Sequence, residues 1–552
     1  MRTPLGQVSS QLIAHLRHAD FTASRISEFL GTSANAALYR GEPGAVLRIL
    51  RTQVEAALRT CEESTIENVH HFAGLIEFFL LHRPLSSQGL EALLGQELAQ
   101  SLIDVGMVGS VGCQAGEVGQ PVPDPHEGAH TWIPLYDIRP HVIRGEDYWV
   151  ISDRDASMVE GHVPAANHVL GVGAASLSLL SVTPQSPVES VLDLGTGSGV
   201  QVLGQLKVAE RIIATDFYPR ALDLAEATLV PAIAGLDADT TAAVSLVEGS
   251  WFSPVQGMRF DRIVSNPPFV VSTGHIHHGY RDSGLDLDGA TELVVREAID
   301  HLTAGGHAHI LGAWVHRNGE DWRQRLSSWL PDEGVAAWIL QRDVADPELY
   351  VGTWLRDESI DPRSQQAITR TQQWLSHFAD NEVTGIGFGY IHLERIEDGE
   401  PSDVLIEELS HQVDDYLGDE VEEYFTRARW LRDQTPESIM ASNFVLRPGI
   451  ALEDVSVADE ESGMGFTQAV LRLTRTEGPR FSHEIDSHLR AIVAGLHPQG
   501  LSLGEVAQLY AFSHNLDEDA LANALVSPIV DLVRHGLLLP ASLIDEGRGD
   551  IL

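Results

Sequence analysis

Asn266-Pro267-Pro268-Phe269 ends a run, Phe260 to Ser265, that is patterned as a buried strand. Two consecutive prolines have fixed φ and no amide to donate, so the chain must leave the sheet there as a stiff, extended corner. Asn266 then offers a side-chain oxygen, and the carbonyl of Pro267 is released from the strand ladder, so acceptors can converge on one planar NH2 group. That arrangement suits chemistry on the nitrogen of an amide or a nucleobase. Taken alone, the same four residues are equally a strand end with an ordinary turn.

A second stretch has the character of a ligand loop. Val191-Leu192-Asp193-Leu194 is a short apolar strand broken by one acid, and Gly195-Thr196-Gly197-Ser198-Gly199 follows it. Glycines there let backbone approach a ligand closely and open a helix whose amides point at it. The spacing is not Gly-x-Gly-x-x-Gly, and no Lys-Ser/Thr follows, so neither a dinucleotide nor a nucleoside triphosphate is favoured. Asp193 would suit a positively charged ligand group. Asp216, at the tip of the next strand, Arg211 to Thr215, can accept two hydrogen bonds from a ribose diol. Each aspartate could instead cap a turn.

The elements that must position these residues alternate strand and helix from about 153 to 393, which predicts a parallel sheet with helices on both faces. Beyond the first two strands come helix 219–229, strand 243–247, Gly249-Ser250-Trp251-Phe252 and strand 260–264. Helix 288–302, strand 307–311, helix 321–330, strand 335–340, a mostly helical insertion at 346–380 and strand 385–393 follow. Residues 1–152 read as a helical domain, with helices through 46–50, 71–80, 84–94 and 96–105. A Gly/Pro-rich loop at 106–128 leads to strand-like runs at 132–136 and 148–151, the order of a winged helix or of a helical cap. Residues 153–399 would then form the central domain that carries both stretches. An acidic domain at 400–552, with strands at 466–473 and 480–481 and helices at 487–496, 503–510 and 519–535, is a second winged-helix-like candidate.

Composition narrows the classes. The chain of 552 residues is 43% hydrophobic and 21% charged, values of a globular protein. No apolar run approaches the ~18–20 residues of a membrane span, and the start lacks a signal-peptide core, so a cytoplasmic protein is expected. Cys61 and Cys113 stand far apart without a metal-type pairing, so neither a disulfide framework nor a zinc site is indicated. The net charge is −43, and Lys207 is the sole lysine. Such a surface repels a polyanion on average, although an arginine-lined groove or a salt-adapted surface would fit it too.

Together the two stretches closely resemble class I S-adenosylmethionine-dependent methyltransferases over about residues 160–315. Val191 to Gly199 looks like the family's first motif, and Ala214 to Leu222 is similar to its ribose-binding segment. Gly249 to Ser253 and Phe260 to Phe269 resemble the release-factor glutamine methyltransferases and the related guanine-N2 and adenine-N6 enzymes. The resemblance implies a Rossmann-like, seven-stranded α/β sheet flanked by the two mainly helical domains. It implies S-adenosyl-L-methionine held by Asp193, Gly195, Thr196, Gly197, Ser198, Gly199, Asp216, Phe217, Ser250, Trp251 and Asn266. Asn266, Pro267, Pro268 and Phe269 would clamp the methyl acceptor, with Phe269 against its planar group. Two positions depart from the family. Ser250 stands where relatives usually place an aspartate against adenine, and His168 to Ser176 replaces a substrate-side Arg-Pro segment.

Tyr280 and Arg281, in the loop Gly274 to Asp282, are candidate substrate contacts; the loop's three histidines form no recognisable ligand set, and no metal is expected. The expected partner is a macromolecule, first a protein glutamine of release-factor or ribosome-associated type. A guanine-N2 or adenine-N6 position in ribosomal or transfer RNA, a small molecule, or an inactive cofactor-binding scaffold are the alternatives.

Overall fold

The computed structural model describes the chain except residues 1–2, 61, 111–130, 156, 160–164, 237–241, 275–282, 358–359, 410, 412–415 and 545–552. Cys61, Cys113, most of the loop expected at 106–128, and the candidate contacts Tyr280 and Arg281 therefore lie outside the described residues. Two compact units are present: residues 1–180, 186–335 and 339–400 form the first, and 181–185, 336–338 and 401–552 the second.

The first unit is built on a mixed sheet whose strands we label β1 (Val188–Leu194), β2 (Ala209–Asp216), β3 (Ala243–Glu248), β4 (Phe260–Ser265), β5 (Leu302–Arg317), β6 (Val335–Ala345) and β7 (Val383–Arg395). Their order is β6-β7-β5-β4-β1-β2-β3. Strands β1 to β4 pair in parallel, β5 runs parallel to β4, and β7 runs antiparallel to β5. Order reverses between β1 and β4, which opens a crevice beyond their carboxyl ends, the place where such sheets bind ligands. An eighth strand, Asp403–Glu408, belongs to the second unit with Ala336–Trp338.

Sequence accounts for these strands directly. Val191, Leu192 and Leu194 in β1 and Phe260, Ile263 and Val264 in β4 are all buried, as continuous apolar runs must be when helices cover both faces. Strand β7 carries glycines at 385, 387 and 389 for a steric reason: a Cβ at Gly389 would lie 1.9 Å from the Leu340 carbonyl oxygen. Helix Pro219–Ala234 starts on a proline at its first turn and buries Ala221, Leu224, Ala225 and Leu229. Helix Gly289–Asp300 ends two residues short of the expected Leu302, which opens β5 instead; β5 reaches Arg317, well past the expected 307–311.

Helices Pro4–His18, Ala23–Tyr39, Pro43–Thr60 and Glu63–Leu75 share one core with Ala221, Leu224 and Ala227 of the helix after β2. Leu85–Ser86, Thr131–Pro134 and Val108–Ser110 form a three-stranded sheet beside helices Ser87–Leu94 and Gln96–Asp104. The run expected at 148–151 is not part of that sheet. It lies in a separate hairpin, Tyr136–Ile143 with Glu146–Asp153, because Arg144 and Gly145 take positive φ and turn the chain back at once. Among the described residues no helix is long and apolar enough to cross a membrane.

The second unit has its own core of Phe444, Ile492, Leu503, Ile529, Val533 and Leu537. Helices Ser487–Ala494, Leu503–His514 and Glu518–Arg534 stand within a residue to four of their expected ends. The strand expected at 480–481 runs instead over Ser482–Glu484, since Arg480 sits at φ 53°, outside the extended region.

Candidate active site

Register brings the loop ends to one level. Leu194 pairs with both Thr215 and Ser265, and Thr215 pairs with Val247, so Gly195 and Asn266, which leave the sheet, and Asp216 and Glu248, which end their strands as a pair, stand side by side at its carboxyl edge. A cavity of about 950 Å³ opens there. Its wall includes Gly195 to Ser198, Asp216, Phe217, Ser250, Trp251 and Asn266 to Pro268.

Backbone geometry explains the glycines. Gly195, Gly197 and Gly199 have φ of 79°, 55° and 84°, a region that side chains resist. The amides of Gly195 and Thr196 both reach the Thr215 carbonyl, at 3.0 and 2.8 Å, while Ser198 Oγ donates to the Leu170 carbonyl at 2.8 Å. The loop is thus fixed from β2 on one side and from the segment ahead of β1 on the other. Gly199 itself is a packing position, since a Cβ there would meet the Leu229 side chain at 3.2 Å.

Asp216 accepts the amides of Gly197 at 3.0 Å and Tyr218 at 2.9 Å. Burial raises its pKa, and the amides of Tyr218, Gly197 and Phe217 oppose that rise. Each carboxylate oxygen keeps a lone pair for a further donor. Phe217 is exposed at the rim, and Trp251 stands in the wall at φ 49°.

Asp193 is placed differently from the expectation. Only 1% exposed, it lies beneath the loop rather than in the wall, and its Oδ2 accepts the Thr196 hydroxyl at 2.7 Å. Its Oδ1 has no hydrogen-bond partner, and burial pushes its pKa up to about 7. Phe269 likewise is absent from the wall: it packs against Val270, Val271, Leu287, Tyr350 and their neighbours. Asn266 is half-buried, and it and the two prolines do face the cavity.

Other wall residues escape a sequence reading. Asp153 accepts the Val169 amide at 2.8 Å, pairs with Arg220, and lies 3.7 Å from His168 Nδ1. Asp137, Arg139 and His141 line the cavity from the hairpin. The one available signal was their i, i+2, i+4 spacing, which places them on one face of a strand.

Residues 170–312 match the methyltransferase small domain. The chain therefore carries a methyltransferase domain, set between two further matched regions, Domain of unknown function (DUF7059) at 18–118 and Domain of unknown function (DUF7782) at 422–540. The ribosomal RNA small subunit methyltransferase C of Salmonella arizonae is 33% identical over 180 residues, 32% of this chain and 44% of the relative. The release factor glutamine methyltransferase of Xylella fastidiosa is 32% identical over 162 residues, 28% of this chain and 55% of the relative. The chain thus spans about half the length of the curated relatives it matches. A solved T. thermophilus 16S rRNA N2 G1207 methyltransferase, in complex with AdoMet and guanosine, overlaps 48% of this chain and 64% of its own at 17% identity and a TM-score of 0.23, too low to bear on function.

Proposed function

We propose that the chain is an S-adenosylmethionine-dependent N-methyltransferase whose acceptor is the side-chain amide of a protein glutamine. The observation that carries the proposal is the shared cavity: Asn266, Pro267 and Pro268 face the same space as the glycine loop and Asp216. The residues fit the cofactor. Asp216 has lone pairs for a ribose diol, Gly195 to Ser198 bring backbone to the wall, and Phe217 and Trp251 supply aromatic surface near Ser250. When bound, the cofactor supplies a methyl group on a positively charged sulfur, and such a transfer needs no metal.

The chain's own part is positioning. The lone pair of an amide nitrogen is delocalised, so the NH2 group must be held and its developing positive charge stabilised. The side-chain oxygen of Asn266 and the carbonyl of Pro267 accept from that NH2, and the double proline keeps both still. Phe269 acts from behind, packed into the layer under the corner, and does not stack on the acceptor.

A protein acceptor is favoured by the net charge of −43, with 36 Lys and Arg against 79 Asp and Glu, a balance that on average repels a phosphate backbone. The similarity to a ribosomal RNA methyltransferase over 180 residues supports the second reading, a base amino group in RNA. In either case the expected setting is the cytoplasm. Incubation with methyl-labelled cofactor, release factors, ribosomal RNA and transfer RNA separates them. Label on a release-factor glutamine supports the proposal; label in RNA alone replaces it with the second reading.

A further inference from the structure

The corner at Asn266 is tied down from outside the matched methyltransferase domain. Its two prolines bring no amides, and strand pairing resumes at Ser272, opposite Leu287. Between them the Val271 amide donates to the Tyr350 hydroxyl oxygen at 2.7 Å, a buried bond that spans 79 positions of the chain. Tyr350 belongs to helix Pro347–Asp357, in the insertion between β6 and β7, whereas the domain match ends at 312. Only 2% exposed, Tyr350 has its ring among those of Trp354, Trp374, Phe378 and Phe388, at centroid distances of 6.0, 6.4, 6.2 and 5.7 Å. Phe269, Val270 and Val271 pack into the same layer. A phenol so enclosed cannot change rotamer without displacing its neighbours, so its oxygen is a fixed point for the segment that leaves the corner.

The same helix reaches the site a second time. Asp357 follows Tyr350 by seven residues and so lies on the same helix face, and it stands with Arg356 in the cavity wall that Pro267 and Pro268 also form. One helix thus anchors the segment leaving the corner and lines the cavity beside it. Methyl transfer to a poor nucleophile tolerates little error, since a displacement of about 1 Å at the reacting group can cost ~100-fold. The double proline makes the corner stiff, but stiffness does not by itself place it against the sheet; the bond from Val271 does. We infer that Tyr350 is a positioning residue for the acceptor clamp, holding Asn266 and the Pro267 carbonyl in place through its bond to the Val271 amide. The inference rests on the acceptor role proposed for that corner, and it adds the insertion to the acceptor side of the site.

Tyr350→Phe in the full chain tests it, because the change removes the hydroxyl and keeps the ring. Phe378→Leu is the control, since it trims the same aromatic layer and leaves the bond in place. In Tyr350→Phe, turnover on the acceptor found by label transfer should fall ~10-fold, while affinity for S-adenosylmethionine by calorimetry stays within about twofold of wild type. Amide hydrogen exchange over 269–273 should quicken ~10-fold, the scale of one lost hydrogen bond, with 191–199 unchanged. Phe378→Leu should lower the denaturant midpoint and keep turnover within about threefold of wild type. Turnover of Tyr350→Phe within about twofold of wild type, unchanged exchange over 269–273, or equal loss of turnover in the two variants overturns the inference and leaves the clamp standing. A wild-type chain that labels no acceptor, or Asn266→Ala at the wild-type rate, overturns the clamp reading and this inference with it.

Discussion

Asp216 accepts the amide of Gly197 at 3.0 Å, joining the tip of β2 to the loop that leaves β1. The same carboxylate takes the Tyr218 amide at 2.9 Å, so one side chain sets both the glycine loop and the start of the next helix. Gly197 can accept that geometry because its φ is 55°. Asp216→Ala should therefore release the loop as well as lose its own contact with a ribose diol. Affinity for S-adenosylmethionine should fall ~10- to 100-fold by calorimetry. Affinity within twofold of wild type would mean that the loop holds its shape and its ligand without this carboxylate.

Asp193 gives the apo protein a pH dependence. Its carboxyl titrates near pH 7 in the folded chain and at ordinary acid pH when unfolded, because burial disfavours the charged form. Between those two values the folded state binds the extra proton, so stability falls as pH rises from roughly 4 to 7 and then levels. Asp193→Asn removes that slope. Urea denaturation should find the variant more stable than wild type at pH 8, by up to a few kcal/mol, and little different near pH 4. A difference independent of pH would show that Asp193 titrates normally.

Arg220 pairs with Asp153, which also accepts the Val169 amide and is 9% exposed in its side chain. Arg220→Met leaves that carboxylate buried beside His168 without its guanidinium. A loss of roughly 3–5 kcal/mol is expected, as for other broken buried pairs, and Asp153→Asn on top of it should restore part of the loss. Denaturant midpoints of the two variants measure this. A single variant as stable as wild type would show the pair to be structurally idle.

Much of the scaffold was legible because its signals are local. Prolines at 267 and 268 force a corner, and positive-φ positions select Gly195, Gly197 and Gly199. The register that sets Gly195, Asp216 and Asn266 side by side follows once the apolar runs of β1, β2 and β4 are paired. Direction was harder to read. Asp193 and Phe269 both flank wall residues, yet one turns beneath the loop and the other into the packed layer. The hairpin stayed hidden for a physical reason: alternating Asp137, Arg139 and His141 has the pattern of a solvent-facing strand edge, while here that face borders a cavity and is largely buried.

The most direct test of the account is turnover and cofactor affinity measured together on Asn266→Ala, with the acceptor found by label transfer. Asn266 forms part of the wall, and its assigned work is on the acceptor nitrogen. The account predicts cofactor affinity within about threefold of wild type and turnover lowered by ~100-fold or more, the scale of losing one preorganised group at a developing charge. Turnover near the wild-type rate would contradict it.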